Sequence, residues 1–487
     1  MGGFPKAECT AKKFEVMKLV SKRKEYVKIR KKFKKIEMTV IMSLKILMYV
    51  SLFFTFFGLF SIDNWQILTV SRTMAITMST FVVVGLAFIS IYGGYNIGKR
   101  KSKPIIYSIS LATVMTDIVT YVQLMIMNVN NANNSYFQFE FLEILVLVIF
   151  LQIIIIIAFT YGGNYIYFKI NPPEKCIIVT SSQEGVDCIM KGIGKYRKQF
   201  KIKFVLDYAD YMLMDKILRC DTVFIYDIPV EDRTKIVEFC YEYQKNVYFN
   251  PQIGDVVEIN ANHFIFDDVS LIGAEFKGMS IEKRIMKRIM DIVCSAIGLV
   301  LVSPLLLICA ILIKCNDGGK VFFKQNRATK HGKVFSLYKF RTMKENVENY
   351  SSTEGDDRIT KVGHVLRKYR IDELPQLWNV LKGDMSLVGP RPEMLENIFH
   401  YTEELPEFEY RLRVKAGLTG YAQIAGKYNT SPKDKLILDL MYIENYSLWL
   451  DIKLLFQTVI VFLKKDSTEG FKVVEQNDNL KYKNPRE

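Results

Sequence analysis

Near the N-terminus four runs of apolar residues follow one another, Met38–Phe60, Met74–Tyr95, Ile105–Met127 and Ile144–Phe168. Each has the ~20 residues that a helix needs to cross ~30 Å of hydrocarbon. The polar loops between them set an orientation, because Lys and Arg are retained on the cytoplasmic side. The segment before the first run, residues 1–37, holds 13 Lys/Arg against 4 Glu; the loop at 61–73 has only Arg72, the loop at 96–104 has Lys99, Arg100, Lys101 and Lys103, and the loop at 128–140 has none. The alternation reads in, out, in, out, in, so residues 38–168 are expected to span four times and everything after Lys169 to lie in the cytosol. The first run begins too late, and is followed by too many others, for a cleaved signal peptide. Asp117 falls inside the third run, where a charge costs ~2.5–3.5 kcal/mol. It is expected to be protonated, paired or turned toward another helix.

From Cys176 the pattern changes to short β-rich runs, Cys176–Thr180, Phe204–Leu206, Thr222–Tyr226 and Val247–Phe249, separated by helix-forming stretches. Alternation of this kind predicts a small parallel sheet with helices, a Rossmann-like α/β domain over 169–276. The first strand leads into Ser181-Ser182-Gln183-Glu184-Gly185, which lacks the glycines that let a pyrophosphate approach a helix N-terminus. A structural or regulatory role is therefore expected there rather than a cofactor. Tyr241 and Lys245 have the Tyr-x-x-x-Lys spacing of short-chain dehydrogenases, but without that fingerprint the pair reads as coincidence.

A fifth apolar run, Ile289–Ile313, is also long enough to span, yet its flanks argue against crossing. Lys283, Arg284, Lys287 and Arg288 precede it and Lys314, Lys320 and Lys324 follow it, so both ends are expected on the cytoplasmic face. Ser303-Pro304 lies in its middle, and proline both removes a backbone donor and clashes with the carbonyl one turn back, a disruption of ~3 kcal/mol in a straight helix. A kink there, with Ser303 satisfying a freed backbone group, predicts a re-entrant helical hairpin over 283–313. The last apolar run, Trp449–Leu463, is too short to span and fits an interfacial or core helix.

Composition agrees with this division. The chain has 487 residues, 50% of them hydrophobic, and a net charge of +15, with a mean hydropathy of +0.11; a uniformly mixed soluble chain would score lower. The basic arm at 1–37 carries +9 of the excess. Beside a hydrophobic segment it is read as a cytoplasmic anchor on anionic lipid, and nucleic acid is not expected as a partner. Eight cysteines without a C-x-x-C spacing and four histidines indicate neither a disulfide scaffold nor a zinc site.

Adjacent acids are common in this chain and mostly mark solvated surface, so context must select among them. Asp372-Glu373-Leu374-Pro375-Gln376 follows a stretch containing Arg367, Lys368 and Arg370 and precedes Lys382-Gly383-Asp384-Met385-Ser386-Leu387-Val388-Gly389-Pro390-Arg391-Pro392. Carboxylates among guanidinium groups suit a phosphate site: the acids can hold Mg2+ or attack phosphorus, while Arg contacts phosphate oxygens in pairs. Prolines on both sides of Arg391 restrict its backbone and help aim its side chain. Upstream, Lys339-Phe340-Arg341-Thr342-Met343 adds two more cations.

Residues 283–470 resemble, nearly end to end, the catalytic domain of the bacterial sugar transferases, the monotopic polyprenyl-phosphate phosphoglycosyl transferases. The resemblance runs through Lys287-Arg288 to Pro304, Lys339–Met343, Asp356-x-Arg358-Ile359-Thr360, Leu366-Arg367, Asp372–Gln376, Leu381–Pro392 and Ala416-Gly417-Leu418-Thr419-Gly420. It implies a membrane protein of mixed class: a basic arm, a four-helix transmembrane bundle, a Rossmann-like α/β domain, and an α-rich monotopic catalytic domain over 277–487 with the re-entrant hairpin. It looks like the large members that begin exopolysaccharide, capsule or O-antigen synthesis at the bacterial inner membrane. The implied reaction moves a sugar 1-phosphate from a UDP-sugar to undecaprenyl phosphate and releases UMP. In it Asp372 is the nucleophile, Glu373 holds Mg2+, and Lys339, Arg341, Arg367, Pro390 and Arg391 form the phosphate site. Large members are expected to pair as homodimers through the spans and the middle domain. The chain departs from the commonest pattern at Lys415-Ala416, Ala425, Lys427 and Asp357, where many members have Arg-Pro, Asn, Arg and Pro; Lys keeps the charge but not the fork of Arg. The sugar itself is not legible. Two other classes compete: a membrane-bound nucleotide-sugar dehydratase or epimerase, which needs the missing glycine loop, and a non-catalytic polysaccharide-assembly protein, which would not need an intact Asp372-Glu373.

Overall fold

The computed structural model describes residues 38–62, 65–128, 139–259, 261–274, 278–344, 357–426 and 431–462. The basic arm, Asp356 and Lys427 lie outside them. Two compact units divide between Tyr248 and Phe249.

The first unit begins with four long helices, α1 (Met38–Ile62), α2 (Arg72–Tyr92), α3 (Ser102–Asn128) and α4 (Leu142–Ile170), each apolar and long enough to cross a membrane. They coincide with the four predicted runs, and all four contribute to one shared core that includes Phe56, Phe60, Phe81, Tyr121, Leu124 and Val148. Asp117 faces another helix, as its position required: it is fully buried and accepts a 3.4 Å hydrogen bond from Gln152 Nε2 of α4, which also donates to the Leu52 carbonyl at 3.1 Å.

The α/β part follows as β1 (Glu174–Thr180), α5 (Gln183–Ile193), β2 (Phe200–Leu206), α6 (Leu213–Leu218), β3 (Thr222–Tyr226), α7 (Val230–Glu242) and β4 (Asn246–Phe249). The sheet order is β2-β1-β3-β4, and β1 pairs in parallel with both β2 and β3. β1 lies inside the sheet, which explains its unbroken Ile177-Ile178-Val179: both of its faces are covered and every residue from Cys176 to Thr180 is buried.

The second unit opens with α8 (Ile253–Ile259) and a hairpin of β5 (Asn262–Phe266) and β6 (Val269–Gly273). Then comes α9, a single helix from Ile281 to Asp317 with Pro304 inside it. The predicted hairpin would divide this segment into two arms; here the helix continues through the proline. Pro304 removes the donor that Val300 would receive, and Ser303 Oγ donates to the Val300 carbonyl at 2.8 Å in its place. Buried Lys287, Asp291, Ser295, Cys309 and Ile313, with partly buried Leu299, Val302 and Leu306 between them, recur at helical spacing along one stripe. That stripe packs on the rest of the unit from its first turns to its last, while Ile297, Val300, Leu301, Leu307 and Ile308 stand more than half exposed on the other face.

Around the stripe lie β7 (Phe322–Ala328) paired antiparallel with β8 (Val334–Phe340), α10 (Lys361–Lys368), α11 (Gln376–Lys382), and β9 (Ser386–Val388), followed by α12 (Leu395–Glu404). The chain closes with β10 (Gly417–Thr419), parallel to β9, and with α13 (Tyr421–Ala425), α14 (Pro432–Glu444) and α15 (Leu448–Phe462). Glycine is needed where β9 ends: a Cβ on Gly389 would stand 3.0 Å from the Gly417 nitrogen and closer still to the Lys415 carbonyl.

Candidate active site

The acid pair lies in a short 3-10 turn, Ile371–Glu373, between α10 and α11. Arg370 enters that turn with φ of +53°, a left-handed conformation that costs a β-carbon-bearing residue ~1 kcal/mol or more and is found more often at functional sites than elsewhere. β8 brings Lys339 to the pair, and the loop after β9 brings Arg391. Arg391 Nη2 donates to Glu373 Oε1 at 2.6 Å, and Lys339 Nζ lies 3.6 Å from the same oxygen. Asp372 has no hydrogen-bond or ion-pair partner among the described residues.

These contacts drive the two carboxyls apart. Burial, and then the neighbouring Glu373 charge, push the Asp372 carboxyl up to about 6, against the pull of Lys339, Arg367 and Arg391. Burial would also raise Glu373, but the Arg391 guanidinium and then Lys339 outweigh it and hold that carboxyl well below the usual range. Burial lowers the Lys339 ammonium and the Arg370 guanidinium from their ordinary values, with Glu373 opposing it in both. One acid is thus locked as an anion and the other titrates close to neutrality, the pattern of a pair with divided roles.

The scaffold behind the pair is polar. Asn379, on α11 and wholly buried, accepts from the Tyr338 backbone N–H at 3.0 Å and donates to the Ser336 carbonyl at 2.8 Å, which ties β8 and hence Lys339 to the helix that follows the acids. The loop carrying Arg391 is held from behind: Arg411 Nη2 donates to the Arg391 carbonyl at 2.7 Å, and Arg327 Nη1 donates to the Pro392 carbonyl at 3.2 Å. The Arg411 side chain, only 3% exposed, is itself flanked by Asp439 at 2.9 Å and Glu393 at 3.7 Å.

Of the residues singled out in the sequence, Glu373, Lys339 and Arg391 meet directly, with Asp372 beside Glu373 in the same turn and near enough to Lys339 and Arg391 for their charges to lower its carboxyl. Arg367 is near enough to lower the Asp372 carboxyl, with its Nε donating to Thr342 Oγ1 at 2.9 Å. Arg341 is placed differently: its guanidinium lies against Gly319, just past the end of α9. Pro390 acts through its backbone, its carbonyl accepting from Gly417 N at 2.8 Å. The supporting residues Arg327, Asn379 and Arg411 were not found from the sequence. Arg327 lies within a strand, away from the acids, and Arg411 lies beyond the acid and Pro-Arg-Pro motifs, so neither gave a local signal.

The resemblance noted in the sequence implies a divalent cation at this site. Among the described residues no cluster of three or more His, Cys, Asp or Glu side chains forms a cage, so two carboxylates are the most that one place offers. That set suits Mg2+, which is held by one or two carboxylates together with substrate phosphates rather than by protein alone. Among the described residues the two cations on Glu373 contact Oε1, and Oε2 is the oxygen that would hold a metal.

The dehydrogenase-like pair is not a site. Tyr241 is 87% exposed, whereas Lys245 Nζ donates to the Leu218 and Cys220 carbonyls.

Residues 282–465 match the family model for bacterial sugar transferases. A UDP-glucose:undecaprenyl-phosphate glucose-1-phosphate transferase of Caulobacter vibrioides is 40% identical over 189 residues, covering 37% of this chain and 71% of the relative. The chain belongs to the bacterial sugar transferase family. A UDP-N-acetylgalactosamine-undecaprenyl-phosphate N-acetylgalactosaminephosphotransferase of Aeromonas hydrophila is 46% identical over 184 residues, which cover 37% of this sugar transferase and 44% of the relative's own length. A galactosyl transferase of Streptococcus agalactiae is 31% identical over 347 residues, covering 62% of this chain and 75% of that one, so this likeness extends beyond the family-matched region. Asp372, Glu373, Lys339 and Arg391 all lie inside that region.

Proposed function

We propose that this sugar transferase moves a sugar 1-phosphate from a UDP-sugar to undecaprenyl phosphate, releasing UMP, as the first membrane step of exopolysaccharide, capsule or O-antigen synthesis. The observation that carries the reading is the division within the acid pair: Glu373 is held by Arg391 and Lys339, while Asp372 has no hydrogen-bond or ion-pair partner among the described residues. The names of the relatives support the donor and acceptor classes.

In the first step an Asp372 oxygen attacks the sugar-linked phosphorus, and the bond from that phosphorus to the bridging oxygen breaks, with UMP taking the electron pair. An aspartyl phosphosugar remains. In the second step an oxygen of undecaprenyl phosphate attacks the same phosphorus, the acyl phosphate bond breaks, and the Asp372 carboxylate returns. Division into two displacements lets a water-soluble donor leave before a lipid acceptor arrives. Glu373 would hold Mg2+, and the ion would supply charge neutralisation at the diphosphate. Arg391 presents its fork to phosphate oxygens, with Lys339 and Arg367 adding positive charge on the same side.

The setting we propose is the bacterial inner membrane, with α1–α4 crossing it and the catalytic unit on the cytoplasmic side. For α9 we propose that both ends lie on the cytoplasmic face, without the division into two arms. Its packed stripe touches one folded unit near both ends, at Lys287 and at Ile313. A helix that crossed the bilayer would have to carry those two contacts to opposite faces.

The test is incubation of membranes with a panel of labelled UDP-sugars and Mg2+. The expected result is UMP and a lipid-linked phosphosugar, both lost in Asp372→Asn. Release of UDP instead of UMP, or full activity in that variant, overturns the reading. For topology, an impermeant thiol reagent should reach Lys283→Cys and the exposed Cys315 from the same face of sealed vesicles. Labelling from opposite faces overturns the same-face reading.

A further inference from the structure

The first turns of α9 carry three polar side chains that a lipid-facing helix would not be expected to bury, and each is used up inside the catalytic unit. Lys287 Nζ donates to Asp451 Oδ2 on α15 at 2.5 Å, to the Val388 carbonyl at the end of β9 at 3.0 Å and to Tyr442 Oη on α14 at 3.2 Å. The Arg288 fork donates at 2.7 Å to each of the Val380 and Leu381 carbonyls, the open C-terminal end of α11, where a cation also complements the helix dipole. Asp291 Oδ1 accepts from Ser386 Oγ at 3.0 Å and from the Leu387 N–H at 2.9 Å, both on β9.

The two elements so gripped are the ones that carry the site. α11 starts at Gln376, just after Glu373, and β9 ends at Val388, just before Arg391. We infer that Lys287, Arg288 and Asp291 are positioning residues: the root of the membrane helix sets α11 against β9, and thereby Arg391 against the acid pair, so that the seating of α9 in lipid and the geometry of the active site are mechanically one. The reading rests on the proposed phosphosugar transfer for its kinetic readout. It also reassigns two of the flanking charges, since Lys287 and Arg288 face the protein's interior, while Lys283 and Arg284 remain exposed.

Lys287→Met alone strands the Asp451 carboxylate, so the deciding variants are Arg288→Met and the double Lys287→Met, Asp451→Asn, which removes both charges. Full-length protein in lipid nanodiscs is mixed with UDP-sugar, and the UMP burst is resolved into amplitude, which counts competent sites, and rate, which reports their geometry. Both variants are expected to keep the amplitude within about twofold of wild type and to lose tenfold or more in rate. An unchanged rate, with or without a smaller amplitude, overturns the inference and leaves the residues as scaffold only. Hydrogen exchange over residues 376–391 is read in parallel and needs no turnover. Faster exchange in both α11 and β9 of Arg288→Met supports the grip, and unchanged exchange refutes it. A wild type that releases no UMP, yet shows the exchange result, defeats the phosphosugar reading and not this one.

Discussion

Arg391 and Glu373 are 18 positions apart in the chain, and Nη2 of the first meets Oε1 of the second at 2.6 Å. The pair has an outward consequence: with Glu373 held by Arg391 and Lys339, its neighbour Asp372 is the acid of the two without an ion-pair partner among the described residues.

Asp372→Asn should lower UMP release by about a thousandfold or more, the scale expected when a nucleophile is removed while binding remains. It should at the same time stabilise the second unit at pH 8. A carboxyl raised by burial binds its proton more tightly in the folded chain, so its cost to stability is present above about 6 and disappears as pH falls toward the unfolded value of ~3.9. Thermal unfolding followed by tryptophan emission, with Trp378 and Trp449 reporting on this unit, should show a higher midpoint for the variant at pH 8 and a vanishing difference near pH 4.

The same group sets an acid limb. An attacking carboxylate must be deprotonated, so kcat/KM for the UDP-sugar should be level above about 6 and fall about tenfold per pH unit below it. A limb near pH 4 would mean that the buried acid is not the attacking group.

Arg391→Lys preserves charge and removes the fork. Because a point charge cannot hold two phosphate oxygens in a fixed plane, kcat/KM should drop by about tenfold or more, and Arg391→Ala by more again. Lys339→Met should raise the Glu373 carboxyl toward its ordinary range, since Lys339 is one of the two cations holding it down.

Asn379→Leu keeps the side-chain volume and strands the Tyr338 N–H and the Ser336 carbonyl. Leaving such groups unpaired costs about 1–3 kcal/mol each, so the urea midpoint of the second unit should fall clearly, whereas Asn445→Ala, at an exposed helix end, should leave it nearly unchanged.

Chelation with EDTA should abolish UMP release, and Mg2+ should restore it. Because the metal is proposed to be held largely by substrate phosphates, EDTA is expected to leave the melting temperature of the substrate-free protein unchanged.

Much of this was legible along the chain. Length and hydropathy determined α1–α4, since a helix that must satisfy its own backbone in hydrocarbon has little freedom of pattern. The run Ile177-Ile178-Val179 announced a buried strand, and the local composition around Asp372-Glu373 and Pro390-Arg391-Pro392 marked the chemistry. What the sequence could not decide was which cation meets which acid. Arg341 stands in the same motif as Lys339, yet it turns to Gly319; residues two apart on an extended strand would share a face, but β8 ends at Phe340 and Arg341 lies beyond it. Lys287 and Arg288 likewise read as surface charges flanking an apolar run, and only the packed unit shows them consumed by Val388, Asp451, Val380 and Leu381, partners 92 to 164 positions away. Local pattern reports burial and periodicity, which are properties of neighbours in sequence; ion pairing depends on distances across the fold, which exist only once the chain has closed on itself.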